Sequence, residues 1–159
     1  MARVESGTVD AIYVAPEAGA RPRKVERAHA VAGRGLEGDR NFMGAGTFHD
    51  PRKPGRDLTL IEAEAIEGLA ADTGIVMEPG EARRNVVTRG VSLNSLVGKR
   101  FHVGEVLCEG KLLCHPCRHL ERATERGVLK GLADRGGLRA DVLEDGWIEA
   151  GAAVREAGG

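Results

Sequence analysis

Aromatic residues are scarce in this sequence, which holds one tryptophan, one tyrosine and three phenylalanines among its 159 residues. Proteins that bind single-stranded nucleic acid stack the bases on aromatic side chains, so this scarcity argues against such a function. A charge excess is also lacking, because 23 lysines and arginines face 24 acidic residues and leave a net charge of −1. The chain as a whole therefore attracts neither nucleic acid nor an anionic membrane surface, and any anion site must be local.

Long apolar runs are missing as well. No segment approaches the roughly 18 apolar residues that a membrane-spanning helix needs, and the first residues do not resemble a secretory signal. We therefore expect a cytoplasmic protein with no membrane partner. The length fits a single domain over residues 1–159, built around one hydrophobic core.

Cysteine is limited to Cys108, Cys114 and Cys117, which fall within ten positions. An odd number of cysteines without a secretory signal does not favour a disulfide framework. We expect reduced thiols that are available for metal binding, redox chemistry or nucleophilic attack.

Glycine, in contrast, is abundant, with 23 residues spread along the chain. Frequent glycine between short apolar runs predicts many brief strands joined by tight turns, as in a barrel. The expected fold class is mostly β with peripheral helices. Predicted strands cover residues 9–14, 25–31, 84–88, 100–107, 111–114 and 138–143, with hairpin turns at 109–110 and 145–146.

One helix is predicted to follow a capping box, in which the Thr59 hydroxyl and the Glu62 carboxylate each accept a hydrogen bond from a free backbone N–H. Apolar residues then recur at helical spacing, and Gly74 is the expected stop. Residues 92–98 are predicted to form a single helical turn. The solvated face of the main helix would carry three carboxylates: Glu62, Glu64 and Glu67.

The most informative segment contains Cys117. A second helix is predicted to begin at Pro116 and to end at Gly127, which places Cys117 in its first turn. Unpaired amides and the positive end of the helix dipole favour a thiolate there, and Arg118 adds positive charge. Such a thiolate suits a soft metal or a transferred sulfur atom.

Other interpretations of this cysteine stay open. A free cysteine is often a small buried hydrophobic residue, and a C-x-x-C redox pair of Cys114 with Cys117 is conceivable, although no βαβ pattern surrounds it. A zinc site would have four possible ligands: Cys108, Cys114, Cys117 and His119. Their spacing matches no common zinc motif. A cysteine hydrolase would need partners that only distant residues supply: His29, His102 and Asn85.

Residues 33–41 form a second segment of interest. Its three glycines would let backbone amides approach a ligand closely, and Arg40 can bind a phosphate in bidentate fashion. The alternative is a glycine-rich connection between strands that carries a surface pair of Asp39 and Arg40.

A third segment places Arg83, Arg84 and Asn85 directly before a β-branched strand. Alternation along that strand would send Arg84 and Val86 to one face and Asn85 to the other. An inward arginine beside an asparagine suits a phosphorylated heterocycle, because arginine binds phosphate while asparagine reads ring donors and acceptors. The alternative is a solvated strand end.

Taken in order, these segments resemble the MOSC domain, which is named for the C-terminal part of the molybdenum-cofactor sulfurases. The likeness covers nearly the whole chain and is that of the small bacterial stand-alone branch. It implies a distorted MOSC-type β-barrel. The residues that carry it are IYVAPEAG (12–19), GRGLEGDRN (33–41), DLTLIEAEAIEGL (57–69), RRNVVTRGVSLNSLVGKRFHVGEVLCEG (83–110), LLCHPCRHLE (112–121) and RGGLRADVLEDGWIEAG (135–151).

The resemblance also implies roles for single residues. Cys117 corresponds to the family's cysteine, which ligates molybdenum in relatives that hold the cofactor and is proposed to carry a persulfide in the sulfurases. Arg40 corresponds to a residue implicated in binding the cofactor phosphate, and Arg84 and Asn85 match a stretch that contacts the pterin. The basic residues that amidoxime reductases offer near the N-terminus are not evident in this sequence.

Three functions follow as hypotheses. The first is an oxidoreductase that binds the pyranopterin molybdenum cofactor and reduces small N-hydroxylated compounds. Its electrons would come from a separate donor, since no flavin, haem or iron–sulfur ligand set is present. The second is a carrier that accepts sulfur on Cys117 from a cysteine desulfurase, and the third is a structural zinc domain. Pyridoxal phosphate is linked to the wider family by a fused desulfurase, but no Schiff-base lysine site is suggested here.

Overall fold

A closed β-barrel forms the body of the protein. The structure is a computed structural model that describes residues 6–16, 21–39, 57–76, 84–113 and 136–157. The strands within these ranges are β1 (Ser6–Val14), β2 (Arg23–Val25), β3 (Arg27–Val31), β4 (Gly35–Leu36), β5 (Leu58–Glu62), β6 (Val86–Arg89), β7 (Arg100–Val103), β8 (Val106–Leu113), β9 (Leu138–Val142), β10 (Gly146–Glu149) and β11 (Ala153–Glu156).

Seven strands close the barrel in the order β1, β6, β5, β9, β8, β7, β11, because β11 pairs with both β7 and β1. Neighbouring strands are antiparallel except β5 and β6, which run parallel. The chain between these two contains helix α1 (Ala63–Thr73), since a parallel pair requires a crossover connection. The mostly β barrel that the sequence predicts is confirmed.

Side chains that alternate along the strands build two hydrophobic layers. Leu60 and Val86 belong to the large core cluster with Phe101, whereas their neighbours Ile61 and Val87 belong to a second cluster with α1. This alternation is the period of two that a pleated strand imposes. Burying each such side chain contributes roughly 1.5–3 kcal/mol, so both faces of β5 and β6 stabilise the barrel.

A three-stranded sheet, in the order β10, β3, β4, packs against the barrel. Its inner face contributes Ala28, Ala30 and Ile148 to the core cluster of the barrel. The backbone N–H of Gly33 donates to the carbonyl of Val142 at 3.0 Å, which ties this sheet to the end of β9.

The predicted capping box at Thr59 is wrong, because residues 58–62 form strand β5 and the helix begins at Ala63. Four consecutive buried residues, 58–61, explain the error, since a short apolar run fits a buried strand as well as a helix. The stop at Gly74 is confirmed: its φ is 78° and its N–H donates to Ala70. Of the other predicted helical segments, the turn at 92–98 is confirmed by a 3-10 helix at Leu93–Leu96, whereas the helix at 116–127 lies outside the described residues.

Both predicted hairpin turns are wrong. The strand predicted over 100–107 divides into β7 and β8 at a turn that contains Gly104, whereas Gly110 lies within β8. A Cβ at Gly110 would lie 2.2 Å from the Leu96 carbonyl, so this glycine permits a close backbone contact rather than a turn. Residues 143–145 join β9 of the barrel to β10 of the small sheet, and these two strands do not pair with each other.

The strand predicted over 25–31 is also divided, because β2 pairs with β1 and β3 belongs to the small sheet. No helix in the described part of the chain is long and apolar enough to span a membrane.

Of the three glutamates predicted on the solvated helix face, Glu64 and Glu67 are exposed on α1, whereas Glu62 precedes the helix. All three also bind the end of β6 or the segment that follows it. The Glu62 carboxylate accepts the N–H of Leu93 at 3.1 Å, and the Glu64 carboxylate accepts the N–H of Gly90 at 2.8 Å. Glu67 forms two hydrogen bonds with the guanidinium of Arg89, at 2.7 and 3.3 Å. These contacts fix the end of β6 to the start of α1, in addition to the apolar packing beneath them.

Candidate functional site

The end of β1 and the starts of β5 and β6 meet at one edge of the barrel, because β1 is antiparallel and β5 is parallel to β6. We call this region the Asn85 edge and define it by five residues: Ala15, Asp57, Thr59, Arg84 and Asn85. Two of the four residues singled out from the sequence, Arg84 and Asn85, are therefore adjacent here.

Asn85 links the three strands of this edge. Its Oδ1 accepts hydrogen bonds from both the backbone N–H and the hydroxyl of Thr59, each at 3.1 Å. Its Nδ2 donates to the Tyr13 carbonyl at 3.2 Å, and its backbone N–H donates to the Thr59 hydroxyl at 3.0 Å. Asn85 is only 6% exposed, so these bonds satisfy polar groups that burial would otherwise leave without partners.

Arg84 precedes Asn85 and is half-buried. Its Nε donates a hydrogen bond to the carbonyl of Gly136 at 3.0 Å. Gly136 lies two residues before Leu138, which pairs with Leu113 at the end of β8. Arg84 is therefore bound to the residues that lead into β9.

Two aspartates anchor neighbouring loops to this edge. Asp39 is buried, and its Oδ1 accepts the N–H of Ala15 at 2.9 Å. Asp57 accepts the N–H of Val142 at 3.0 Å through Oδ2. The predicted alternative of a surface Asp39–Arg40 pair is therefore wrong for Asp39. Its carboxylate is buried and accepts a hydrogen bond from the backbone N–H of Ala15.

Gly35 explains one of the glycines at residues 33–41. Its φ is 99°, and a Cβ at this position would lie 2.3 Å from the carbonyl oxygen of Asp57. The missing side chain lets β4 contact the backbone at the start of β5. For Gly35, the close approach that the sequence predicts toward a ligand is an approach to the protein's own backbone.

Cys108 is a core residue, not a reactive thiol. Its side chain is fully buried in the barrel cluster. Burial raises the pKa of the Cys108 thiol to about 12, and the negative charges of Asp57 and Asp141 add to the shift. Cys108 is thus unsuited to the zinc site considered from the sequence, and the described residues contain no group of three or more metal-binding side chains placed around one point.

The remaining predicted residues are distributed as follows. Arg40 and Cys117 lie outside the described residues, as do Cys114 and His119. Of the possible hydrolase partners, His29 lies on β3, His102 on β7 and Asn85 directly before β6. These strands are not neighbours in either sheet.

Sequence reasoning missed the exposed face of the small sheet. The guanidinium of Arg27 lies 4.3 Å from the ring centroid of Trp147, and the His29 ring lies 5.0 Å from it. Arg27 and Glu149 are directly opposite on β3 and β10, as are His29 and Trp147. The alternation of side chains along β3 and β10 indicates which residues share the exposed face, but only once the pairing of these two strands is known.

The fold and the edge together define a small mixed β-barrel with a polar, hydrogen-bonded cluster where β1 ends and β5 and β6 begin. The model of the MOSC domain family matches residues 46–155, which is more than half of the chain. The chain belongs to the MOSC domain family. A search of curated proteins gives no match.

Solved structures share this fold at low sequence identity. YuaD of Bacillus subtilis is similar with a TM-score of 0.76 and 17% identity, over 99% of this chain and 100% of that chain. YiiM of Geobacillus stearothermophilus gives 0.71 and 14%, over 96% and 75%. YiiM of Escherichia coli gives 0.65 and 17%, over 100% and 71%. At this identity the likeness shows the fold alone.

Proposed function

We propose that this MOSC domain protein binds the molybdenum cofactor at the Asn85 edge and acts as an oxidoreductase on small N-hydroxylated compounds. The observation that carries the proposal is the half-buried guanidinium of Arg84, fixed through Nε to the Gly136 carbonyl. Family membership supplies the cofactor class, and the geometry of the edge supplies a group that can bind its anionic part.

Arg84 fits that part of the cofactor. A guanidinium has five N–H donors in a planar fork, and Arg84 spends one of them on Gly136. No other residue in the described ranges accepts a hydrogen bond from its side chain, and in this proposal its remaining N–H donors bind the anion. Half-burial strengthens such charge-assisted bonds, because water competes less there than at an exposed side chain.

The positions of Arg40 and Cys117 along the chain support the roles proposed for these two residues. Residue 40 follows Asp39, whose carboxylate is bound to Ala15 at the Asn85 edge. Cys117 lies in the sequence between Leu113, the last residue of β8, and Gly136, the partner of Arg84. We assign Arg40 to the cofactor phosphate and Cys117, as a thiolate, to molybdenum.

The cofactor, when bound, supplies a metal centre that exchanges electrons with the substrate. Reduction of an N-hydroxylated compound consumes two electrons and two protons, breaks the N–O bond and releases water. The electrons come from a separate donor protein in this proposal, since the sequence indicates no ligand set for a flavin, haem or iron–sulfur centre. The protein's part is to bind and orient the cofactor and to hold a thiolate beside it.

Metal analysis tests the proposal. The protein would be expressed in a host that makes molybdenum cofactor, and molybdenum and zinc would be measured per chain for wild type, Cys117→Ala and the matched control Cys114→Ala. We expect molybdenum in wild type and Cys114→Ala and a large loss in Cys117→Ala. Wild type that binds no molybdenum, even after incubation with released cofactor, contradicts the proposal.

The same variants separate the alternatives. A sulfur carrier would gain the mass of one sulfur atom on Cys117 after incubation with a cysteine desulfurase and cysteine, without retaining molybdenum. A structural zinc domain would contain zinc and lose it equally in both variants. Cys108 does not complicate these assays, because its thiol is buried and protonated.

A further inference from the structure

Asn85 has almost no hydrogen-bonding capacity left for a ligand. An asparagine side chain offers two acceptor positions on Oδ1 and two donors on Nδ2. Both acceptor positions are taken by Thr59, and one donor is taken by the Tyr13 carbonyl. One N–H is left at most, on a residue that is 6% exposed. Such an amide has no acceptor and at most one donor to offer a pterin ring.

The Thr59 hydroxyl completes the arrangement. It donates to Oδ1 of Asn85 and accepts the backbone N–H of the same residue, so the two side chains satisfy each other. The Asn85 carbonyl also accepts the N–H of Tyr13 at 2.7 Å. Backbone and side chain of Asn85 are therefore fixed to β1 on one side and to β5 on the other.

The rigidity of Asn85 sets the position of its neighbour. The backbone of Arg84 is not part of a strand, since β6 begins at Val86. Its side chain is held at two points, by the fixed backbone of Asn85 and by the Nε bond to Gly136. Groups that orient a ligand-binding side chain in this manner contribute strongly to affinity without touching the ligand.

We infer that Asn85, together with Thr59, is a positioning residue for Arg84 and does not itself contact the cofactor. The inference rests on the proposed function for the identity of the ligand. It departs from the role that the resemblance implies for Asn85. It also assigns a role to Thr59, which the sequence placed at a helix start.

Three substitutions test it. Thr59→Val removes the hydroxyl and leaves Asn85 in place, Thr59→Ser keeps the hydroxyl, and Asn85→Ala removes the amide. If Asn85 acts by position, Thr59→Val and Asn85→Ala each weaken cofactor binding by about tenfold or more, and the double variant is no worse than either. Thr59→Ser binds like wild type. If Thr59→Val binds cofactor like wild type while Asn85→Ala does not, Asn85 is a direct contact and the inference is wrong.

A second readout does not depend on the cofactor. The Nε–H of Arg84 gives a cross-peak in a proton–nitrogen NMR spectrum, assigned by its loss in Arg84→Lys. We expect slow exchange with water in wild type and Thr59→Ser, because this N–H is bound to Gly136, and a shifted, faster-exchanging signal in Thr59→Val. An unchanged signal in Thr59→Val overturns the inference.

The two readouts separate the two claims. Wild type without molybdenum removes the proposed function, yet the NMR comparison still decides whether Thr59 and Asn85 position Arg84. If Asn85→Ala does not fold, the pair Thr59→Val and Thr59→Ser decides the question alone.

Discussion

Gly35 begins β4 and Gly38 lies two residues after this strand, and alanine at each position separates steric collision from backbone strain. Both glycines have positive φ, at 99° and 87°. A Cβ at Gly35 would lie 2.3 Å from the Asp57 carbonyl oxygen, whereas a Cβ at Gly38 would have nothing within 4 Å. The two substitutions therefore share the strain and differ in the collision.

The expected losses follow from these contacts. Left-handed backbone costs a non-glycine residue about 1–2 kcal/mol, which is the full effect expected for Gly38→Ala. Gly35→Ala must also displace the backbone of Asp57, and overpacking of this kind adds about 1–3 kcal/mol. The difference between the two variants should accordingly be about 1–3 kcal/mol, with Gly35→Ala the less stable.

Urea unfolding measures this difference. Far-UV circular dichroism reports the barrel, and the fluorescence of Trp147 reports the small sheet that contains β4. If the free energy of unfolding falls with urea concentration at the same slope in both variants, their free energies of unfolding can be compared directly. Equal losses, or a larger loss for Gly38→Ala, would refute the packing of Gly35 against Asp57 and with it the described position of β4.

Two further predictions concern titratable groups. In a Cys114→Ser, Cys117→Ser variant, the remaining Cys108 should not react with a thiol reagent until denaturant is added, since a pKa of about 12 and full burial leave almost no accessible thiolate; rapid reaction in the native state would contradict this. The hydrogen bond from Arg89 lowers the pKa of Glu67 below 4.5 in the folded state, so its contribution to stability is present above that pH and is lost as the pH falls through the lowered value. In Glu67→Gln, the free energy of unfolding should therefore fall less steeply than in wild type as the pH is lowered into the acid range. The same fall in both proteins would be evidence against the bond between Glu67 and Arg89.

The sequence predicted the fold class because frequent glycine between short apolar runs is typical of a barrel of many short strands. It misplaced Thr59 because periodicity cannot distinguish a helix from a strand that is buried on both faces. Leu58, Leu60 and Ile61 all face hydrophobic layers, so the alternation that marks a half-buried strand is absent. The consecutive burial of these residues is explained by α1, which covers one side of β5, and by the barrel core, which covers the other.

The hairpin errors have a different origin. Gly110 was interpreted as a turn residue, but its lack of a side chain serves contact with the Leu96 carbonyl. That contact joins the 3-10 helix to β8, two elements separated along the chain by β7, and no local pattern in the sequence indicates it. The turn between β7 and β8, at Gly104, has the same composition as the one predicted five residues later.

At the candidate site, the sequence located Arg84 and Asn85 but not their partners. The bonds that define Asn85 come from Thr59 and Tyr13, which are 26 and 72 residues away along the chain. Pairing of β1, β5 and β6 creates these contacts, so they follow from topology and not from local residue pattern. Asp39 is similar, because its buried bond to Ala15 spans 24 positions. Arg40 and Cys117 stay predictions of the sequence.

The measurement that tests the central proposal most directly is the molybdenum content of Arg84→Gln beside that of Arg155→Gln. Arg155 is exposed on β11, so its substitution removes the same charge at a site remote from the Asn85 edge. We predict that Arg155→Gln retains the molybdenum of wild type and that Arg84→Gln, folded by circular dichroism, loses most of it. Equal molybdenum in the two variants would contradict cofactor binding at this edge.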